Sequence, residues 1–542
     1  MIWPQNYTPV AHSLAWSTAA ASLPMLVLFF FLAVKRKPAW ISALAALATA
    51  VLVARLPYGM PLARTISAGL YGAAFGLLPI GWITFNAILL YRLTLETGQF
   101  AVIKSSLARL TADRRLQALL IAFAFGAFIE GAAGSGVPVA VGAAMLAGLG
   151  FDRFQAAGIC LLANTAPVAF GAIGTPIITL AVTTGLPIAS LSAGVGRICA
   201  PLSLCVPAYL TLVVSGRKGL KGVFPAALVC GVSFAAVQFT VSNLVGPRLT
   251  DIFASLAAIT CLVFLFRVWR PKDRPFQAPN ELPPEFSSRL PSSEVRRAWM
   301  PYMLLAGCVL LWGWRPVSTI LGNTSIPIAW PALHNQVLRM PPVVSAPAPY
   351  AAVYRLDWLS CPGTACLVAS ILAAAFAGMR WHAFARVFAS TLRQMFLPLV
   401  TIASVLALAF LMNYCGATAT LGLAFAATGI LFPYFSALLG WMGVFLTGSD
   451  ASSNALFGNL QVVTAKRLGL SPILMASANA SGGVMGKMIS VQSIAVAAAA
   501  TQMKPSEESR LFRFTLPHSF LLASAIGLLT TLYAYALPAF VR

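Results

Sequence analysis

The sequence predicts an all-α polytopic membrane protein, and three observations support that fold class. Of the 542 residues, 59% are hydrophobic and only 9% are charged, and the mean hydropathy is +0.84. Apolar runs of about 20 residues recur along the chain, and each is long enough to cross a hydrocarbon core about 30 Å thick. The basic residues fall in short loops between these runs. This composition excludes an ordinary soluble domain.

The net charge of +23 arises from 36 basic and 13 acidic residues. Because the basic residues lie in short loops, the excess is typical of the positive-inside rule and not of nucleic-acid binding. We therefore expect the lipid bilayer as a partner and no nucleic acid. The first apolar run, residues 14–34, precedes Lys35, Arg36 and Lys37. A secretory signal peptide has the reverse order, so this run is predicted to be an uncleaved first span.

Uninterrupted apolar runs predict the individual spans. They cover residues 14–34, 39–56, 68–92, 190–214, 223–245, 249–268, 299–315, 358–378, 388–411 and 514–540. Two longer regions, 116–188 and 421–501, contain apolar sequence interrupted by Gly, Asn, Pro and Ser. Together the chain is predicted to form about 12 to 14 membrane-crossing or re-entrant elements.

The basic clusters predict the orientation. When the spans alternate, all the main clusters fall on one side; they lie at residues 35–37, 104–115, 217–221, 267–297, 380–386 and 504–513. The positive-inside rule assigns that side to the cytoplasm, so both termini and the loop 316–357 are predicted to lie outside. The Pro-rich segment 271–298 is predicted to be a cytoplasmic linker between a first half, 1–270, and a second half, 299–542.

The two interrupted regions resemble each other. In one block, Gly126, Phe128 and Gly131 align with Gly443, Phe445 and Gly448; in the next, Asn164 and Gly171 align with Asn479 and Gly486. The separation from Gly to Asn is 38 residues in the first region and 36 in the second. Interrupted hydrophobic segments at corresponding places in two halves indicate a transporter binding site near the membrane midplane. The alternative is glycine packing between helices.

The same blocks resemble the lactate permease family of bacterial proton-coupled transporters. The motifs that carry this resemblance are I-E-G-A-A-G-S-G-V-P-V-A (129–140), N-T-A-P-V-A-F-G-A-I-G (164–174), G-V-F-L-T-G-S-D-A-S-S-N-A-L-F (443–457) and G-K-M-I-S-V-Q-S-I-A (486–495). The start W-P-Q-N-Y, the loop R-M-P-P-V-V-S (339–345) and the tail L-F-R-F-T-L-P-H-S (511–519) match as well.

The resemblance implies symport of L-lactate, and in relatives glycolate, with a proton across the bacterial cytoplasmic (inner) membrane. It also implies two inverted repeats with re-entrant hairpins, in which an elevator-like transport domain moves against a dimerising scaffold. A homodimer is therefore expected. Four positions depart from the usual family residues: Ser135 replaces Phe, Val137 replaces Ala, Ala451 replaces Thr, and Val491 replaces Pro. The Phe-to-Ser difference would enlarge and polarise a pocket, which would admit a larger or more hydroxylated carboxylate.

Two of the 13 acids, Glu130 and Asp450, lie in apolar sequence far from a predicted loop. Burial favours the neutral form of a carboxyl group, which suits a proton carrier, so both are candidates for proton coupling. The alternative is an acid that only caps a half-helix or pairs with a buried base. The run from Gly448 to Ser453 is poor helix-forming sequence, so it is predicted to be a broken or re-entrant element.

Donors for a carboxylate substrate are expected beside the breaks. The candidates are Gly134, Ser135, Gly136, Asn164, Thr165, Ser452, Ser453, Asn454, Asn479, Ser481, Ser490 and Gln492. Lys487 is expected to be a counter-ion of the substrate or the partner of Asp450, unless its side chain only extends to the membrane surface. Arg197 and Arg339 are weaker candidates.

Three other functions compete with proton symport of a monocarboxylate. A sodium-coupled or dicarboxylate carrier of the same architecture is the nearest alternative. An intramembrane enzyme would need a nucleophile or a metal set beside Glu130 and Asp450, and none is evident in the sequence. An anion channel has no need of buried acids for coupling. No phosphate-binding Gly-Lys-Ser loop, metal-ligand cluster or cofactor motif is found, so neither a cofactor nor a metal is expected.

Overall fold

The computed structural model describes residues 2–134, 136–271 and 291–540, and these are mostly helical. The helices of the first half are α1 (Leu14–Phe29), α2 (Ala39–Arg55), α3 (Leu62–Phe75), α4 (Trp82–Glu96), α5 (Gln99–Ala108), α6 (Arg114–Gln117), α7 (Gly126–Ala132), α8 (Val137–Gly148), α9 (Arg153–Ala163), α10 (Gly171–Thr184), α11 (Ile188–Leu244) and α12 (Thr250–Val268). Segments Phe30–Val34, Gly76–Gly81 and Ala118–Phe125 are π-helical, and Val168–Phe170 is a 3-10 turn.

The second half of the sequence is also mostly helical. Its helices are α13 (Ser292–Gly313), α14 (Arg315–Gly322), α15 (Pro362–Phe376), α16 (Trp381–Cys415), α17 (Ala417–Phe425), α18 (Phe432–Thr447), α19 (Asp450–Arg467), α20 (Pro472–Gly486), α21 (Val491–Ala500) and α22 (Pro505–Tyr535). Segments Ala426–Leu431, Lys487–Ile489 and Pro538–Phe540 are 3-10 turns. The predicted linker 271–298 lies largely outside the described residues, and the division into two halves stays a prediction.

The helices confirm the predicted class of a multi-span membrane protein. Within the described residues, 8 helices are long and apolar enough to cross a membrane, or up to 11 when each bent helix pair counts as one span. The predicted spans 190–214 and 223–245 form the two parts of α11, which are separated by non-helical backbone at Gly216 (φ 69°). The predicted number of elements, about 12 to 14, stays a prediction.

The two interrupted regions contain the same order of elements. In the first, α7 is followed by a break and α8, and α9 is followed by a second break and α10, with a bend of 64°. In the second, α18, α19, α20 and α21 follow in the same way, and the last bend is 43°. The regions also contact each other, because α10 packs along α19 and α8 packs on α21. The inverted relation of the repeats is not established by this order and stays a prediction.

Other helices surround these segments. Helix α16 packs along α2 and α3, and α15 packs along α4. Close approach between α3 and α16 depends on Gly72 and Gly76, where a Cβ atom would overlap backbone atoms of α16. Small residues that let helix backbones approach are a common means of association in membranes, where burial of apolar surface gives little net gain.

The chain terminus and the segment between α14 and α15 form the small β-structure of the molecule. Strand β1 (Trp3–Pro4) pairs in parallel with β3 (Val337–Arg339), which pairs with β4 (Ala348–Pro349). Strand β2 (Ile326–Ala329) pairs with β5 (Val353–Leu356). The N-terminal segment and the loop 316–357 are therefore on the same side of the molecule, as the orientation argument requires. The assignment of that side to the cell exterior stays a prediction.

Candidate functional site

The breaks of the two interrupted regions face one small cavity. Its volume is about 130 Å³, and Ile80, Ile402 and Leu406 form an apolar part of its lining. The predicted site residues that line it are Glu130, Gly134, Asp450, Ser452, Lys487 and Gln492. Both acids and the basic residue singled out in the sequence are thus brought together in one place.

Asp450 is positioned by the break between α18 and α19. Helix α18 ends at Gly448, whose φ of 72° is adopted at little cost only by glycine. Ser449 then caps α19, since its Oγ accepts a hydrogen bond from the Ser452 backbone N–H at 3.3 Å. Asp450 is the first residue of α19 and is only 3% exposed. A carboxyl group therefore lies in the first turn of a helix, where the orphan N–H groups favour negative charge.

The break predicted in the run from Gly448 to Ser453 is present, and it is short. Only Gly448 and Ser449 lie between α18 and α19. Ser453 and Asn454 are buried within α19, and Ser453 Oγ donates to Gly440 O at 3.1 Å. The cap at Ser449 stabilises the start of α19, so these polar residues are helical although their own helix propensities are low.

A chain of buried amides extends from Asp450 into the protein. Asn454 Nδ2 donates to Asp450 Oδ2 at 3.2 Å, and Asn479 Nδ2 donates to Asn454 Oδ1 at 2.9 Å. Gln461 Nε2 donates to Asn479 Oδ1 at 3.1 Å, and Ser436 Oγ donates to Gln461 Oε1 at 2.8 Å. These contacts fix the amide orientations of α19 and α20 relative to the acid. Asn454 and Asn479, both predicted as substrate donors, act instead on Asp450 and on each other.

One oxygen of Asp450 is left for other partners. Its Oδ1 is buried and has no hydrogen-bond partner within the described parts of the chain. Gly483 lies beside it, and a Cβ atom at Gly483 would overlap this oxygen. The glycine of α20 therefore provides the space that the carboxyl group occupies.

Glu130 faces the same cavity from α7. It is 4% exposed, and its Oε2 has no hydrogen-bond partner among residues 2–134, 136–271 and 291–540. Gly171, at the start of α10, lies against the side chain, because a Cβ atom there would come within 2.7 Å of Glu130 Oε1. Asn164, from the break between α9 and α10, is buried nearby in the same block as Gly171, and neither Nδ2 nor Oδ1 of its side chain has a hydrogen-bond partner among the described residues. The two sequence blocks that contain Glu130 and Asn164 thus meet in space.

Lys487 lines the same cavity as the two acids. It is 6% exposed, and its Nζ donates to Gly448 O at 2.7 Å, at the carboxyl end of α18. It interacts electrostatically with both Glu130 and Asp450. Extension of the side chain to the membrane surface is excluded by this burial. An ammonium group has three N–H donors, so two remain beyond the bond to Gly448.

The other predicted donors are distributed around this centre. Thr165 Oγ1 donates to Leu162 O at 2.8 Å, and Ser490 Oγ donates to Lys487 O at 3.1 Å while it caps α21. Ser481 Oγ is buried and has no partner among the described residues. Gly136 precedes α8 with φ 81°. Ser135 lies outside the described residues.

The two arginines lie away from this cavity. Arg197 Nε donates to Asn243 Oδ1 at 2.8 Å, and its Nη1 donates to Phe540 O at 2.6 Å. Arg339 stacks on Tyr350, with 5.0 Å between its Cζ and the ring centroid. It lines a second cavity of about 400 Å³, which Lys466 also lines.

Two threonines of the cavity were not predicted from the sequence. Thr84 Oγ1 donates to Ile80 O at 2.9 Å, and Thr175 Oγ1 donates to Ala172 O at 2.6 Å. Thr175 lies near the start of α10, just after the second break of the first interrupted region, and this position was a usable signal. Thr84 lies in an uninterrupted apolar run, so its approach to the cavity depends on helix packing that periodicity does not reveal.

A sequence model of a protein family described as L-lactate permease matches residues 17–537. The chain belongs to the L-lactate permease family. It is 43% identical to an L-lactate permease of Bacillus subtilis (strain 168), with 98% of each chain covered. It is 44% identical to the glycolate permease GlcA of Escherichia coli (strain K12), again over 98% of each chain. The family and these relatives are permeases, so the chain is a transporter and not an enzyme.

Two solved transporter structures match the chain at low similarity. The YdaH transporter of Alcanivorax borkumensis matches at 15% identity and a TM-score of 0.45, with 86% of each chain covered. MtrF of Neisseria gonorrhoeae matches at 14% identity and a TM-score of 0.46, with 88% of this chain and 84% of that chain covered. Family membership and the membrane-length helices together establish a multi-pass membrane permease.

Proposed function

We propose that this permease carries L-lactate, glycolate or a related short 2-hydroxy monocarboxylate together with a proton. The observation that carries the proposal is that Lys487, Glu130 and Asp450 line one small cavity at the helix breaks, where the lysine interacts electrostatically with both acids. A drug-sized ligand occupies a pocket of roughly 300 Å³ or more. The cavity of about 130 Å³ suits a ligand of only a few non-hydrogen atoms.

Charge balance in the cavity explains how proton and substrate binding are coupled. One ammonium group and two ionised carboxylates leave an excess negative charge, which repels a carboxylate substrate. When both acids are protonated, Lys487 is the remaining charge and attracts the substrate. The loaded cavity is then neutral, and it is neutral again when the substrate leaves with one proton. A neutral site crosses a low-dielectric barrier at the lowest cost, so this cycle favours one proton for each substrate.

The substrate carboxylate is held by Lys487 and by the start of α19. Two N–H donors of the ammonium group remain after the bond to Gly448, and the first turn of a helix has unpaired backbone N–H groups. Ser452 and Gln492, which line the same cavity, are the donors for the 2-hydroxyl group. Gln492 lies against Gly448, where a Cβ atom would come within 2.6 Å of its Oε1.

Arg339 has a separate role in this proposal. Its cavity is lined by the C-terminal ends of α10 and α19, whereas the site described above lies at their N-terminal ends. Arg339 and Lys466 give that cavity a positive charge, which raises the local concentration of carboxylate anions. It therefore serves as an entry region and not as the place where proton and substrate are coupled.

The proposed movement is that of an elevator-like transport domain made of the two interrupted regions, within a homodimeric scaffold. Its support is the shared order of helices and breaks in these regions and their contact through α10 and α19. The proposal places the protein in the bacterial cytoplasmic membrane with both termini outside, on the strength of the basic clusters.

Uptake of labelled L-lactate into proteoliposomes tests the function directly. With a pH gradient, acidic outside, we expect accumulation above equilibrium, and dissipation of the gradient with a protonophore should abolish it. A sodium gradient alone should have no effect. Uptake that ignores the pH gradient and follows sodium would establish the alternative carrier, and competition by a dicarboxylate but not by glycolate would refute the substrate class.

A further inference from the structure

Asp251 is a buried acid that the site described so far does not use. It is the second residue of α12 and is 1% exposed. Neither Oδ1 nor Oδ2 has a hydrogen-bond partner within the part of the chain that the structure describes. In the sequence it follows the short polar stretch 246–249, which made it resemble an acid at a span end. A buried carboxyl group with both oxygens unpaired requires an explanation.

Glu130 is the neighbour that gives Asp251 a role. Helix α12 packs on α7, and the contact is made at Gly131, next to Glu130 in the chain. A Cβ atom at Gly131 would lie 2.8 Å from Asp251 Cβ, so only glycine admits this approach. Asp251 and Glu130 interact electrostatically across the contact. Glu130 faces the substrate cavity, whereas Asp251 lies behind it, outside the cavity lining.

The charges around Asp251 are few. Glu130 faces it from α7, the Cys199 thiol interacts with it from α11, and Arg248 lies three residues before it in the chain. Lys487 interacts with Glu130 and Asp450 and lies on the cavity side. Two carboxyl groups that interact in a low-dielectric interior do not both ionise readily, because an unpaired buried charge is costly and like charges repel.

We infer that Asp251 is a further proton-binding site, linked to Glu130. Both carboxyl groups are protonated when substrate is bound, and when one proton leaves toward the cavity the pair retains the other, so the ionisation of Glu130 is linked to protonation of Asp251. Interacting acids of this kind titrate as a pair and not as separate groups. This inference rests on the proposed proton coupling and assigns to it a residue that does not touch the substrate.

The test compares Asp251→Asn with the unchanged protein in proteoliposomes. Two quantities are measured across a range of pH: accumulation of labelled L-lactate driven by a pH gradient, and exchange of labelled for unlabelled lactate without a gradient. We expect exchange at acidic pH to stay within about 2-fold, since the side chain at position 251 does not contact substrate, while driven accumulation falls about 10-fold or more. The pH of half-maximal uptake should move by on the order of one unit, because Glu130 then titrates alone and not as one of a pair.

Three further variants sharpen the comparison. Asp357→Asn is the matched control, because Asp357 is a partly exposed acid in the segment before α15 and should leave both quantities unchanged. Asp251→Ala removes the buried polar atoms without adding volume at the tight contact with Gly131, and it replaces Asp251→Asn if that variant fails to fold. Glu130→Gln combined with Asp251→Asn should behave like Glu130→Gln alone, because residues that act as a unit are not additive.

The outcomes separate the two proposals. If the unchanged protein ignores the pH gradient, the proposed function fails and the inference fails with it. If the unchanged protein is driven by the gradient and Asp251→Asn has the same pH profile, only the inference is overturned. An equal loss of exchange and driven uptake with an unmoved pH profile identifies Asp251 as purely structural and also overturns it.

Discussion

Lys487 holds the central position among the ionisable residues of the cavity. Its ammonium group is anchored to Gly448 O at 2.7 Å and interacts with acids on two different helices. A lysine buried this deeply is costly unless its charge is matched. In the empty site the acids supply that match, and in the loaded site the substrate does. This exchange of counter-charges is the physical basis of the coupling that we propose.

Lys487→Met should therefore impair transport more than stability. Loss of a hydrogen-bonded charge partner costs about 1.5 to 3 kcal/mol, so we expect substrate affinity to fall between about 10-fold and 100-fold. The measurement is the concentration dependence of lactate exchange in proteoliposomes. Lys218→Met, at an exposed position in the middle of α11, is the control and should behave like the unchanged protein. An unchanged affinity in Lys487→Met would remove Lys487 from the substrate site.

Asp450→Asn should separate exchange from accumulation. An amide replaces the carboxyl group at similar size, but it cannot take up or release a proton in this pH range. We expect gradient-driven accumulation to collapse while lactate exchange survives. Uptake of labelled lactate with and without a pH gradient measures both. Normal accumulation in Asp450→Asn would take this acid out of the proton path.

Among individual residues, the sequence pointed to Glu130, Asp450 and Lys487, which line the cavity, because charged residues in apolar runs are conspicuous. It did not predict that Asn454 and Asn479 face each other and Asp450, since this depends on the packing of α19 against α20. Asp251 was missed because, in the sequence alone, an acid near the end of a span resembles an acid at the membrane interface. Only the contact of α12 with α7 shows that it is buried.

The helix breaks are the elements that place these residues. At the break between α18 and α19, a left-handed glycine and a serine cap turn the chain within two residues, so Asp450 and the carbonyl group of Gly448 both face the cavity. The second break of each region adds Lys487 or the segment around Gly171. Irregular backbone of this kind is tolerated in a bilayer only where it lines a cavity or is covered by protein.

Gly448→Ala tests the break against a matched control. Gly448 and Gly469 have similar left-handed φ values of 72° and 69°. A Cβ atom added at Gly448 would lie 2.6 Å from Gln492 Oε1, whereas a Cβ atom added at Gly469 would have no other atom within 4 Å among the described residues. Both alanine variants should lose about 1 to 2 kcal/mol of stability from the left-handed backbone. Only Gly448→Ala should also reduce lactate affinity. Thermal unfolding and exchange kinetics measure the two effects, and equal transport defects in both variants would contradict this role.

The positions of the breaks were predictable from Gly, Ser and Asn in apolar sequence, but their extents were not. A capped helix absorbs Ser452, Ser453 and Asn454, because the hydrogen bonds of its first turn outweigh their low propensity. Likewise, the two spans predicted within residues 190–245 form one long element with a kink at Gly216. Local propensity describes where a helix is weak and not how neighbouring helices stabilise it.

The whole molecule joins its two sequence halves through the site. Helix α10 of the first half packs on α19 of the second, and the cavity takes one acid from each half. The fold class followed from composition and the spacing of apolar runs. The contacts between halves did not, because they join residues hundreds of positions apart.

Fusion of reporter proteins tests the orientation of the molecule. If both termini lie outside, alkaline phosphatase fused after Arg542 should be active and green fluorescent protein at the same place should be dark. The reverse is expected for fusions after Lys504, which lies in a basic cluster assigned to the cytoplasm. A fluorescent protein that is bright after Arg542 would contradict the predicted external position of the C-terminus.

The apolar side of the cavity has a mechanical consequence. Ile80, Ile402 and Leu406 offer no side-chain polar atoms, and the hydroxyl group of Thr84 is already bonded within its own helical segment. The polar contacts at the site lie among the interrupted helices, so this side of the cavity is mainly apolar. In the proposed elevator movement, the site would slide along these apolar side chains without breaking hydrogen bonds to them at each step, so the resistance to motion would come from side-chain shape.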